Sequence, residues 1–243
     1  MGLLDLFGKS NKKFIEENAV SADKKHLLQT GAILVYANSA CGWMPQTLLL
    51  DQKKLTAEQI LSRFWDAENK EEVLQLIDGL IVIGGFGFAG GDHAESRSQI
   101  DARLEGYTAG DQSALSDEEA EMLDEVVDLI TGYKMEKTKL TATDISSVTT
   151  TLAWDIERAA FLTRLAFNSG LLTEEETWAF LKKTRELAQA GFRNWQDYGI
   201  SFIKGRAIVM CDSDFSDMSD MWSNVALLAD PKWGEVWTWA TLK

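Results

Sequence analysis

The chain has 243 residues, enough to bury a sizeable core as one large domain or two small ones. Its apolar fraction of 45% is that of an ordinary globular protein. A formal net charge of −14 argues against a nucleic-acid partner, because phosphate binding needs a positive surface; it suits solubility or a basic protein partner.

Two cysteines, Cys41 and Cys211, stand far apart without metal-ligand spacing. That usage points to reduced thiols in a cytoplasmic protein rather than to a disulfide framework, although a single bridge stays open. The opening MGLLDLFGKSNKK is too short in its apolar part for a signal peptide, and its positive charges follow that part. Gly2 is in place for myristoylation, but Leu6 breaks the pattern. Leu3, Leu4, Leu6 and Phe7 read as a loosely packed amphipathic end, with contact to a membrane or a partner as the alternative. No run approaches a membrane span.

Taken in order, residues 26–40 (HLLQTGAILVYANSA) predict a buried helix that stops near Gly42. Thr56 and Gln59 form a capping box, in which each side chain satisfies a free backbone N–H of the first turn. Asn69 and Glu72 repeat the signature. Two helices with a short joint at residues 65–69 follow. Residues 84–113 then turn glycine-rich and polar, and predict a surface loop. Gly85, Gly87 and Gly90 match G-x-G-x-x-G formally. A dinucleotide site would need a preceding strand and a helix packed on a sheet, so no cofactor is expected.

Ser116 and Glu119 cap a helix whose stripe is Met122, Leu123, Val126, Val127 and Ile130, with Gly132 as its stop. The Lys/Thr segment 134–143 reads as a linker. It leads to residues 154–168, WDIERAAFLTRLAFN, the stretch around which the chain is organised. At about 100° per residue, Trp154, Leu165, Arg158, Leu162, Asp155, Ala166 and Ala159 share one apolar arc. Only Glu157, Arg164 and Asn168 form a narrow strip that reads as wet. Asp155 and Arg158 therefore fall inside the apolar arc, close enough along the helix to meet as a partly buried ion pair. A structural salt bridge is the favoured reading, and a binding site the alternative.

Thr173 and Glu176 start another helix, with Trp178, Leu181, Arg185 and Ala188 on one face and a stop near Gly191. From Asn194 a further helix places Trp195, Tyr198, Phe202, Arg206 and Val209 together, and Gly199 and Gly205 let a neighbour approach closely. A strand over 201–210 is the second choice there. Asp212, Asp214, Asp217 and Asp220 follow. They lack the glycine and the closing glutamate of an EF-hand, so they read as a cap and solvated turn, with Asp212, Asp214 and Asp217 as weak metal candidates. Trp233, Trp237 and Trp239 in the tail read as rings closing over a core.

The run AWDIERAAFLTRLAFNSGLLTEEETWAFL, the Trp195–Tyr198–Gly199 and Gly205–Arg206 positions, and LLADPKW resemble the bacterial domain-of-unknown-function family twelve sixty-six, the YbeU/YbeR-like proteins. FWDAENKEEVLQLIDGL is similar to that family's tryptophan-led helix pair, but it runs into LIVIGGFGF where the family has a Gly-His-basic turn. The resemblance highlights Trp154, Asp155, Arg158, Arg164, Trp178 and Arg206, and implies an architecture without an activity.

The expectation is an all-α protein of about eight or nine helices in one compact domain, with a central buried helix at about 144–169 and a Gly-rich surface loop at 84–113. Its N-terminal helical part, 1–140, carries the Gly-rich loop, and its C-terminal core is 141–243. The function expected is a cytoplasmic interaction module that binds a protein partner, with a basic toxin or effector as the candidate class. The alternative is a small-anion or metal-dependent ligand binder or enzyme built on Asp155, Arg158 and Arg206, with Trp154 and Trp178 beside them. His26 and His93 sit in poor contexts for acid–base work, and an arginine would lower the pKa of Asp155 rather than raise it. No catalytic residue is assigned.

Overall fold

Local chemistry sets the helix starts. The computed structural model describes residues 12–38, 45–50, 55–83, 95–133, 140–210, 215–228 and 242. In chain order these form α1 (residues 12–17), α2 (Ala22–Lys25), a 3-10 turn (His26–Gln29), α3 (Ala32–Ala37), α4 (Ala57–Trp65) and α5 (Lys70–Asp78). A π-helical turn (Gly79–Ile83) continues α5. Then come α6 (Arg97–Thr108), α7 (Asp117–Gly132), α8 (Ala142–Ser146), α9 (Leu152–Asn168), α10 (Glu174–Gly191), α11 (Trp195–Val209) and α12 (Phe215–Leu228). Among the described residues there is no strand, only an isolated antiparallel bridge between Ala19 and Thr47. The protein is all-α; the buried helix expected at about 144–169 is α9, which starts only at Leu152 and is separated by residues 147–151 from the short α8.

The capping boxes at Thr56, Ser116 and Thr173 close as expected, and Asn194 caps α11 by accepting from Asp197 N–H. Asn69 and Glu72 exchange bonds in the same way. Residues 201–210 are helical, not a strand.

Several expectations are corrected. The polar half of the supposed loop is α6, started by Gln99 closing on Ser96 N–H at 2.8 Å and holding Ile100 and Leu104 inward. The buried helix over 26–40 is broken: Thr30 and Gly31 separate the 3-10 turn from α3, and Gly31 adopts φ +77°. The N-terminal end, the glycine run 84–94, the linker residues 134–139, Cys41, Cys211, Asp212, Asp214 and the tail tryptophans lie outside the described residues.

The chain divides into two compact units, Met1–Ile77 with Glu157–Glu186, and Asp78–Ile156 with Leu187–Lys243. In the first, the strip of α9 that reads as wet is the reverse. Glu157 and Arg164 are fully buried. The Glu157 carboxylate accepts from Gly31 N–H at 2.9 Å, Ile33 N–H at 3.0 Å and Leu34 N–H at 3.4 Å, so it sits at the positive end of α3. Arg164 donates to the carbonyls of Pro45 and Thr47. Asn168 donates to Leu48 O and accepts from Leu50 N–H. These polar groups face backbone, not water. A chain segment without its own ladder needs such partners.

In the second unit α11 packs on α7 and α12, and α7 also meets α8. A Cβ at Gly199 would lie 2.7 Å from Val225 Cγ1, so only glycine allows that approach of α11 to α12. Gly205 does the same against Trp154 Cβ, at 2.6 Å.

Candidate functional site

The first unit contains an open cleft of about 330 Å³. The Ala19–Thr47 bridge lays residues 18–21 beside 47–49 and forms one wall. The end of α9 supplies Phe167, and the first turns of α10 supply Glu174 and Trp178. The floor is apolar: Leu28, Leu48, Ala160 and Leu181 are buried together, with Val20, Leu27, Phe167 and Trp178 packed on them.

The polar side is built by the α10 capping box. It fixes the start of α10, so Glu174 and Trp178 stand one turn apart on one face. Trp178 Nε1–H donates to Glu174 Oε1 at 2.8 Å. Lys24 Nζ, from α2, lies 3.4 Å from the same oxygen and 4.8 Å from the Trp178 ring centroid. The tryptophan hydrogen bond first, and the lysine second, hold the Glu174 carboxyl below its ordinary range. Glu176 is engaged elsewhere, by Lys70 at 2.6 Å, which pushes its pKa down to about 2. An ammonium over an indole face, with a carboxylate behind it, is a cation-binding arrangement.

Of the candidates read from the sequence, Trp178 lines this cleft. The others lie elsewhere. Arg206 reaches Asp217 with Nε at 2.7 Å and Nη2 at 2.6 Å, and its guanidinium lies 5.3 Å from the Trp154 ring centroid. Trp154 also meets Phe202, with ring centroids 5.3 Å apart. Asp155 is buried and takes Arg97 at 2.9 Å, a partner from α6 that the sequence reading did not single out. Arg158 is buried at 2% exposure. The structure thus brings Trp154, Arg206 and Asp217 together, while Asp155 and Arg206 hold different partners. Among the described residues no group of three or more His, Cys, Asp or Glu could hold a metal ion.

Lys24 and Glu174 were missed. The Glu174–Trp178 spacing was visible in the sequence, as was the capping box that orients it. Nothing local ties Lys24 to them across 150 positions.

The helices and the absence of strands among the described residues define an all-α protein, and its first unit holds an open apolar cleft edged by one aromatic ring and one ion pair. Residues 60–242 match the model of the family described as Protein of unknown function (DUF1266), and the chain belongs to that family. The match includes Phe167, Glu174 and Trp178 but not Val20, Lys24 or Leu48, which lie before its first residue. Neither the curated proteins nor the solved structures include a match. Among the described residues no helix is long and apolar enough to cross a membrane.

Proposed function

We propose that this protein is a cytoplasmic interaction module that receives a basic segment of a partner protein in the cleft of its first unit. The observation that carries this reading is the Trp178–Glu174 pair at the edge of an apolar cleft, arranged around an ammonium group. Apolar floor and charged rim are the usual anatomy of a site that takes one side chain as an anchor. The net charge of −14 supports the same class of partner, since it raises the encounter rate with a basic surface. Trp154, Asp155, Arg158 and Arg206 serve in this reading to pack and pair the fold, and Trp178 is the binding residue.

The test is calorimetric titration of the full chain with an N-acetylated octapeptide of alternating lysine and alanine, at two salt concentrations. Binding should weaken with salt and be lost in Trp178→Ala; because that ring also packs on the buried cluster, the variant should melt lower, and its helical circular dichroism at the titration temperature should match that of the parent. Equal binding by parent and Trp178→Ala would place the peptide elsewhere and end the proposal.

A further inference from the structure

We infer that Trp178 and Glu174 form a lysine-recognition site and that Lys24 occupies it as an internal ligand, competing with any incoming basic segment. This rests on the reading of the cleft as a binding site and goes beyond it in naming the recognised group and a built-in competitor. Lys24 makes both contacts a bound lysine would make. Its Nζ is 3.4 Å from Glu174 Oε1 and 4.8 Å from the centre of the Trp178 ring.

The element that carries it is suited to let go. α2 has four residues, no side-chain cap and no buried residue. The Lys24 and Glu174 side chains keep 37% and 61% of their exposure, so water and salt screen the pair. Glu176, on the same first turn of α10, takes Lys70 of α5 at 2.6 Å, a shorter pair whose side chains are 44% and 38% exposed. By distance, the cleft therefore has one short ion pair beside it and one longer, looser pair within it. An incoming lysine that adds backbone and neighbouring contacts along the Leu48 wall meets only the loose pair as its rival.

The experiment uses the full chain and the same lysine–alanine octapeptide, titrated into the parent, Lys24→Gln, Lys24→Arg and Lys25→Gln. Lys25→Gln removes the same charge from an exposed neighbour and controls for the change in net charge. Vacating the site in Lys24→Gln should tighten binding about fivefold, as expected for loss of one exposed cation–ring contact and one exposed pair. Lys25→Gln should stay within about twofold of the parent, because the contacts with Glu174 and the Trp178 ring belong to Lys24 and solvent screens the exposed Lys25 charge. Lys24→Arg, which keeps a cation on the ring, should match the parent. Equal affinities for Lys24→Gln and Lys25→Gln would overturn the internal competitor while leaving the cleft as a binding site. Loss of binding in Lys24→Gln would overturn it too, and make Lys24 a wall of the site. Absence of binding in all four proteins would remove the cleft reading itself.

Discussion

Glu157 and Gly31 are joined across 126 positions by a 2.9 Å hydrogen bond from the Gly31 N–H to the Glu157 carboxylate. The same carboxylate accepts from Ile33 and Leu34, and the glutamate is wholly shielded from solvent. It replaces the side-chain cap that α3 lacks. The burial of this charge is offset by the helix end and by Arg164 on the same strip of α9, whose pKa is lowered chiefly by burial and raised in turn by Glu157.

Glu157→Ala should therefore cost about 3–5 kcal/mol, the range for breaking a buried charged network from one side. Glu157→Gln, which keeps one acceptor oxygen, should cost less. Urea unfolding of the full chain measures both. A loss below about 1 kcal/mol for the alanine variant would mean that water replaces the carboxylate at α3.

The Glu157–Gly31 bond is long-range, and local sequence carries no sign of it. The capping boxes at Thr56, Ser116 and Thr173 are local: donor, acceptor and helix start lie within four residues of one another. They were legible, as were the stripes of α7 and α11 and the close approaches at Gly199 and Gly205. The wheel of α9 correctly buried Asp155 and Arg158. It misread Glu157, Arg164 and Asn168 because polarity on a wheel signals a polar partner, not water. Backbone within residues 31–34 and 45–50 is such a partner, and no periodicity announces it. Nor does periodicity announce that Gly31 packs against Ala160 of α9, closely enough that a Cβ there would lie 2.9 Å from the Ala160 Cβ. The cleft was half legible: Glu174 and Trp178 share a helix face, but Lys24 arrives from a distant segment.

Gly31 and Gly170 make a matched pair of substitutions. Both have positive φ, +77° and +78°. A Cβ at Gly31 would lie 2.9 Å from Ala160 Cβ and 3.1 Å from its carbonyl carbon, whereas nothing lies within 4 Å at Gly170. Gly170→Ala should cost about 1–2 kcal/mol, the left-handed backbone alone. Gly31→Ala should cost about 1–3 kcal/mol more, because α9 backbone cannot move aside cheaply. Equal losses in thermal unfolding would show that the Gly31–Ala160 contact relaxes.

Arg206→Lys tests whether the Trp154–Arg206–Asp217 group supports the fold. Lysine keeps the charge but loses the two-pronged contact with Asp217 and the planar face on the Trp154 ring. The variant should lose about 1–2 kcal/mol of stability. It should bind the lysine–alanine peptide as the parent does. An unchanged unfolding midpoint with altered peptide binding would move the binding site to this group.

Lys204 gives a pH-dependent signature. It is 3% exposed, and its ammonium donates to Ile145 O and Val148 O, both at 2.7 Å, at the end of α8. Carbonyls at a helix end lack partners within the helix, so the bonds are useful, but no carboxylate among the described residues accompanies the charge. Burial brings the lysine from 10.5 down to about 8. Between those values the unfolded chain holds a proton that the folded chain has released, so stability from this group rises with pH across that window. Below about 8 both states are protonated and the full cost of burying the charge is present. Above 10.5 both are neutral and the cost is gone, while the neutral amine still donates to both carbonyls. The swing is on the order of 3 kcal/mol. Arg164 and the tyrosines also respond to alkali, so the readout is the difference between the parent and Lys204→Met, measured by urea unfolding from pH 7 to 11. The parent should gain on the variant as pH rises through the window. Curves that stay parallel would show that the Lys204 charge is solvated in the folded protein.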